Sequence, residues 1–341
     1  MDKLFLRVFT KLKKPKKKRQ NNNEGYKEHK VVFVFDTETE QNIIQKLKVG
    51  YFQIYVDNFL VHHGLFYKKV TDKEKDIIFD YGRKNKIEVY SLREFIHSVF
   101  YPTVFKQKAL CLGFNLPFDI SRISLNYARA RKNEYNGFSL ILSEDISLPR
   151  IKIFQLNSNT TIIKFAYSLY NKERFQGHFL DVQKLASVLL DIKRISLERA
   201  CKLLKTKTQK LKVEEHGKIT PEYLEYLITD VRATYECYLK LKEEFEQYGI
   251  NMPVDKIASG ASLGKNALIQ MGITPFMEKN NNFPDELIGK IMSAYYGGRT
   301  ECKIRKQPVK VTTLDFTSTY PTIALIMNLW DFIIADEIEY E

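Results

Sequence analysis

The amino-acid sequence predicts an α/β fold built on a mixed sheet, and three observations carry that expectation. Residues 31–36, VVFVFD, form a continuous β-branched and aromatic run, the pattern of a strand buried on both faces. Residues 109–114, ALCLGF, repeat the pattern. Helical stretches are interleaved with these strands, which argues for a shared sheet covered by helices.

Each element follows from a local pattern. Met1–Lys30 contains KLKKPKKKRQNNN and has no core-forming periodicity after Phe9, so it reads as a basic, disordered tail. After the strand at Val31, YFQIYV (51–56) and LFYKKV (65–70) read as strands, with His63-Gly64 as the expected turn. DKEKDIIFDYGRKNK and SLREFIHSVF read as surface helices, and a further helix is expected from Phe118. IKIFQL and TIIKFAYS pattern as a hairpin around Asn157–Asn159, GHFLDV as a strand near the core, and SLERACKLL as a helix. The long helix PEYLEYLITDVRATYECYLKLKEEFEQYG opens at Thr220-Pro221-Glu222, a cap followed by proline in the first turn. Beyond Gly249 the chain is loop-rich. It then offers DELIGKIMSAYYGG as a helix, KVTTLDF (310–316) as a strand and TIALIMNLW as a helix apolar on most faces, which requires packing partners. These textures divide the chain into a tail over 1–30, a main domain over 31–248, and a linker with a further segment over 249–341.

Composition narrows the class. With 44% hydrophobic and 28% charged residues, the chain is neither collagen-like nor wholly disordered. It has no run of 18 apolar residues, so no membrane partner is expected. The four cysteines are scattered in a spacing that suits neither a disulfide framework nor a zinc site, which favours a reducing compartment. The net charge is +13, of which +8 lies in residues 1–30. A basic chain favours a polyanionic partner; a solvated, flexible terminus is the plainer reading of the tail.

Carboxylates carry the chemical signal. Asp36 and Glu38 stand two apart at the end of the first buried strand, so they share a face. Either a cation lies between them or the strand simply runs into a polar turn. Asp119, in GFNLPFD, falls in the first turn of a helix, where it would also complement the helix dipole. Asp230 lies mid-helix on an otherwise apolar stripe, one turn after Tyr226, and a carboxylate there needs a partner. Four hard oxygen ligands suit a pair of magnesium or manganese ions clamping a phosphodiester, and a tyrosine hydroxyl suits the orientation of an attacking water.

Three of these segments, F-D-T-E at 35–38, N-L-P-F-D at 115–119 and Y-L-I-T-D at 226–230, resemble the three motifs of DEDDy 3′–5′ exonucleases. The resemblance implies a ribonuclease H-like fold over roughly 31–248. It implies metal binding by Asp36, Glu38, Asp119 and Asp230, with two Mg2+ (or Mn2+) ions, water orientation by Tyr226, and a hold on the primer terminus by Asn115 and Phe118. Further on, Tyr295-Tyr296-Gly297-Gly298 resembles the Y-x-G-G sequence of family B DNA polymerases, and DFTSTYPTIAL (315–325) resembles their motif A. By that resemblance Asp315 is a palm metal ligand, Ser318 lies near the triphosphate, Tyr320 is the gate against a ribose 2′-hydroxyl, and Tyr295, Gly297 and Gly298 approach DNA.

The resemblance therefore implies the N-terminal part of a family B DNA polymerase of the compact protein-primed, mobile-element or viral branch, with an incomplete palm. Its implied partners are single-stranded 3′ ends and primer–template DNA. It also implies dNTP once the palm is completed, a second polymerase chain and, for protein priming, a terminal protein. The expected setting is the cytoplasm or a viral or mobile-element replication site. Two other readings use the same residues. One is a self-sufficient exonuclease, against which motif A counts; the other is a non-catalytic DNA-binding remnant, against which the intact carboxylate set counts.

Overall fold

A strand with two different faces organises the fold. In the computed structural model, which describes residues 29–129, 137–157, 160–166, 175–211, 213, 217–274, 276–279, 282–294, 303–312, 314 and 316–334, β1 (Val31–Thr39) pairs antiparallel with β2 (Leu47–Val56) and parallel with β5 (Leu110–Gly113). With β3 (Phe59–Tyr67), β4 (Glu88–Ser91) and β10 (His178–Asp181) these make a six-stranded mixed sheet in the order β10-β5-β1-β2-β3-β4. A second, antiparallel sheet has the order β6 (Asn126–Arg129), β7 (Gly137–Ile141), β8 (Ile151–Asn157), β9 (Thr160–Phe165). The expected α/β class with a mixed sheet is what the chain forms.

Alternation along β1 sends its side chains into two cores. Phe33 and Phe35 join an aromatic cluster with Phe52, Phe66, Phe95, Phe100 and Phe105. Val32 and Val34 join a second cluster under α4 (Val182–Leu189), α5 (Leu197–Leu204) and α6 (Pro221–Glu246). Asp36 and Glu38 continue the α6-facing series. Helix α1 (Asp72–Asn85) starts with a complete capping box between Thr71 and Glu74.

Two expectations change. The turn is not at His63-Gly64, which lies inside β3; the chain reverses at Asp57-Asn58, both at positive φ. Gly64 serves packing instead. A Cβ there would sit 2.8 Å from the Phe52 ring, so the glycine makes room for an aromatic side chain on the neighbouring strand. The stretch SLREFIHSVF is not a surface helix. After a short α2 (Leu92–Glu94) it winds into a π-helix, Phe95–Lys106, with eight buried residues. Its apolar residues lie on most sides and are buried, and within the helix only His97, Ser98 and Lys106 turn outward.

The described residues fall into two compact units, one spanning Gly25–Asn266 and the other taking in the residues from Ala267 on. The first also holds α3 (Leu116–Arg122) and most of α7 (Gly260–Gln270). The second holds α8 (Phe276–Lys279), α9 (Asp285–Ala294), α10 (Thr319–Ile326) and α11 (Leu329–Ile334). In place of the strand expected over 310–316, its described residues are irregular. Leu325, Ile326 and Met327 are exposed, so the apolar helix foreseen in the sequence keeps an uncovered face. No helix among the described residues is long and apolar enough to cross a membrane.

Candidate active site

Four carboxylates from three elements converge where β1 meets α6. Asp36 and Glu38 come from the end of β1 and keep a small exposed edge although their carboxyl groups are enclosed, whereas Asp119 and Asp230 are buried throughout. Burial pushes Asp36 well above the usual carboxylate range, and the charges of Asp119, Glu38 and Asp230 add to the rise. Burial and Asp230 raise Glu38 to about 7, although the Tyr223 hydroxyl donates to its Oε2. Burial raises Asp119 to about 8 despite two hydrogen bonds from Thr37. The repulsion of Asp36 by Asp119, Glu38 and Asp230 places the four in one small volume.

Local structure explains how each arrives. Helix α3 begins at Asn115, which stands in the left-handed region (φ 71°), a conformation asparagine tolerates. The turn is held by Asp181, whose Oδ1 accepts from the Asn115 N–H at 3.0 Å while also capping α4 at Gln183. Asp119, one turn into α3, then reaches β1. Its Oδ1 accepts from the Thr37 N–H at 3.1 Å and from Thr37 Oγ1 at 2.7 Å. Its Oδ2 is buried and has no hydrogen-bond partner among the described residues. An orphaned carboxylate oxygen among like charges is costly unless a cation meets it.

On α6, Tyr223, Tyr226 and Asp230 recur at helical spacing on one buried face. The two tyrosine rings are parallel, 5.9 Å between centroids. Lys210 enters from the loop after α5. That loop is tied to α6 through Glu236, which accepts from the Thr208 N–H at 2.8 Å and from Thr208 Oγ1 at 2.7 Å. Lys210 Nζ lies 2.5 Å from Asp230 Oδ2 and 4.9 Å from the centre of the Tyr226 ring. Burial alone would lower its pKa, but Asp230 and Tyr226 outweigh this and hold it above the ordinary lysine value. Burial and Asp230 together raise the Tyr226 phenol to about 12, so it keeps its proton at neutral pH.

The structure thus gathers Asp36, Glu38, Asp119, Asp230 and Tyr226. Asn115 is exposed and Phe118 half-buried on α3, the Phe118 ring lying 4.8 Å from the Arg122 guanidinium. Ser318 and Tyr320 lie in the other unit, at the start of α10, where Ser318 has φ 55° and Tyr320 is exposed. Tyr295, Tyr296, Gly297, Gly298 and Asp315 lie outside the described residues, as do residues 1–28 of the basic tail. Sequence reading missed three participants: Thr37, Tyr223 and Lys210. Tyr223 carried a usable signal, its i, i+3, i+7 spacing with Tyr226 and Asp230. Lys210 carried none, standing in a lysine-rich stretch.

Residues 150–328 match the sequence profile of DNA polymerase type B, organellar and viral. The chain belongs to that family. The matched region covers Tyr226 and Asp230 on α6, the Tyr295–Gly298 segment, Asp315, Ser318 and Tyr320, and leaves Asp36, Glu38 and Asp119 on the preceding part of the type B polymerase chain. Family membership makes it a nucleotidyltransferase of DNA replication, with DNA and dNTP as the ligands of its kind and divalent metals as its usual cofactors. No curated protein shows a significant match to the chain.

Proposed function

We propose that the unit carrying the carboxylates is the 3′–5′ proofreading exonuclease of this type B DNA polymerase, a ribonuclease H-like domain over 31–248 that hydrolyses the terminal phosphodiester of single-stranded DNA. The observation that carries the reading is the convergence of Asp36, Glu38, Asp119 and Asp230 in one buried volume, where burial raises the first three and the other three carboxylates add to the rise of Asp36. A carboxylate set that disfavours its own ionisation gains most from divalent cations, and the orphaned Asp119 Oδ2 fits a metal ligand.

Asp36, Glu38, Asp119 and Asp230 would hold two Mg2+ or Mn2+ ions. Bound there, such ions activate water and stabilise charge on the attacking and leaving oxygens. The protein's own residues do the rest. Tyr226 stays protonated, so it orients the attacking water as a hydrogen-bonding group and does not serve as a base. Lys210 stays charged, fixing Asp230 and steadying the Tyr226 ring from above. Tyr223 fixes Glu38 through its hydroxyl. Phe118 offers a face for stacking the terminal base, and Asn115 a polar contact beside it.

In the second unit, we assign Asp315 to a palm metal, Ser318 to the triphosphate, Tyr320 to sugar discrimination, and Tyr295, Gly297 and Gly298 to DNA contact. The test of the nuclease is release of nucleotides from a 3′-labelled single strand in Mg2+ or Mn2+. Asp36→Ala with Glu38→Ala abolishes it if the reading is right. Undiminished digestion by that purified double variant would overturn it.

A further inference from the structure

Apart from the carboxylate quartet, a second group of metal-capable side chains meets at the opposite end of the sheet. His29 directly precedes β1, His178 opens β10, and Asp255 sits in the 3-10 turn Val254–Lys256 that follows α6. One ligand atom from each lies within 4.8 Å of the others. His178 is in register with Leu110 and Val32, four residues before Asp36 on β1. At about 3.3 Å per residue, the cluster is roughly 13 Å along the strands from the nuclease carboxylates. It is a separate site.

The two imidazoles reach the two oxygens of one carboxylate, at hydrogen-bond distances that are also close to the ligand–ligand spacing of a small cation. His29 Nε2 lies 3.4 Å from Asp255 Oδ1, and His178 Nδ1 lies 3.0 Å from Asp255 Oδ2. Nitrogen and oxygen ligands about 2.0–2.1 Å from a tetrahedral zinc stand roughly 3.3–3.4 Å from one another. The two imidazoles meet edge to face, 4.2 Å between centroids, so both rings turn toward one carboxylate without stacking.

A supporting shell is present too. Asp255 is almost wholly buried, its side chain 1% exposed, and Lys256 Nζ lies 3.0 Å from its Oδ2. The Phe175 ring lies 5.2 Å from that of His178. Ligating carboxylates are ordinarily hydrogen-bonded, as Asp255 is by Lys256.

We propose that His29, His178 and Asp255 bind one first-row transition ion of the zinc class, with water in the fourth position. Two imidazole nitrogens select such an ion over magnesium, which prefers oxygen ligands. The three ligands come from the chain just before β1, from β10 and from the turn after α6. The ion therefore ties the entrance of the nuclease unit to its exit, a structural role independent of the nuclease assignment.

The test uses the full chain, stripped with a chelator and held in excess Mg2+ so that oxygen-only sites are occupied. Zn2+ is titrated against a chromophoric competitor, and X-ray absorption of the zinc-loaded protein reads the ligands. The proposal expects one tight equivalent of zinc, a shell containing two imidazoles, and about 100-fold weaker binding by His178→Gln or Asp255→Asn. Equal zinc binding by folded variants, or a zinc shell of oxygens alone, would overturn it. Should both variants fail to fold, the ligand shell of the parent protein decides the matter by itself.

Discussion

Asp36 and Asp255 are both carboxylates of the same unit, and their surroundings push them in opposite directions. Asp36 faces three other carboxylates and one ammonium, and it is driven well above the usual range. Asp255 is buried too, which alone would raise it, yet hydrogen bonds from His178 and His29 and the charge of Lys256 hold it far below. Burial is common to both, so the partners decide. The first site is short of positive charge, and the second is supplied with it. A deficit kept inside a fold is a cost to stability, and it points to a cation from outside.

The largest expected effect falls on the deficient site. Asp230→Ala removes a proposed metal ligand and the partner of Lys210, and metal-dependent nucleotide release should fall by several orders of magnitude in single-turnover assays. Tyr226→Phe deletes one hydroxyl and leaves the ring on Tyr223. Its chemical step should slow by about 10²–10⁴-fold, while its melting temperature stays near the parent's. Equal single-turnover rates would remove the water-orienting role.

The satisfied site should respond in stability instead. Asp255→Ala leaves the two imidazoles without their shared acceptor, while Lys256 is exposed and stays solvated, a loss of about 1–3 kcal/mol read from denaturant unfolding. Its effect on nuclease turnover should be small by comparison. Lys210→Met sharpens the contrast from the other side. Losing a charged hydrogen bond worth about 1.5–3 kcal/mol should slow cleavage roughly 10–100-fold.

Asp36→Asn is the smallest change and the most diagnostic in sign. It relieves repulsion, so without divalent ions the variant should melt above the parent even though its nuclease activity is lost. The pH profile follows the same logic. Glu38 and Asp119 have folded pKa values raised to about 7 and about 8, above their ordinary values. Between the ordinary and raised values the folded state binds more protons than the unfolded one. Metal-free protein should therefore lose stability as pH rises from about 4 to about 8. A flat profile there would mean that the carboxylates are solvated.

How much of this was legible in the sequence depends on the kind of information each residue carries. Strand β1 and helix α6 were readable because periodicity and caps are local, and Asp36, Glu38, Tyr226 and Asp230 came with them. Asp119 was readable through its motif. The Asp57-Asn58 reversal was missed because Gly64 attracts attention as a turn residue, whereas its reason is the Phe52 ring on the next strand. The π-helix was missed because Pro102 lies inside it and its buried residues do not follow one helical stripe. Lys210 and the His29–His178–Asp255 cluster depend on contacts spanning 20 to 226 residues, which no local pattern records. Asp181 looked unremarkable in the sequence, yet it holds the turn that aims α3 and caps α4.

The central claim is that the four carboxylates together await divalent cations. The measurement that tests it most directly is the Mn2+-induced shift in melting temperature at about pH 8, in the parent chain and in Asp36→Asn with Asp119→Asn. Both proteins keep the histidine cluster, so the difference isolates the carboxylates. At Mn2+ near 100 times its dissociation constant the parent should gain about 2.7 kcal/mol, several degrees in melting temperature, and the double variant should gain almost nothing from the carboxylate site. An equal shift in the two proteins, or no shift in the parent, would contradict the account.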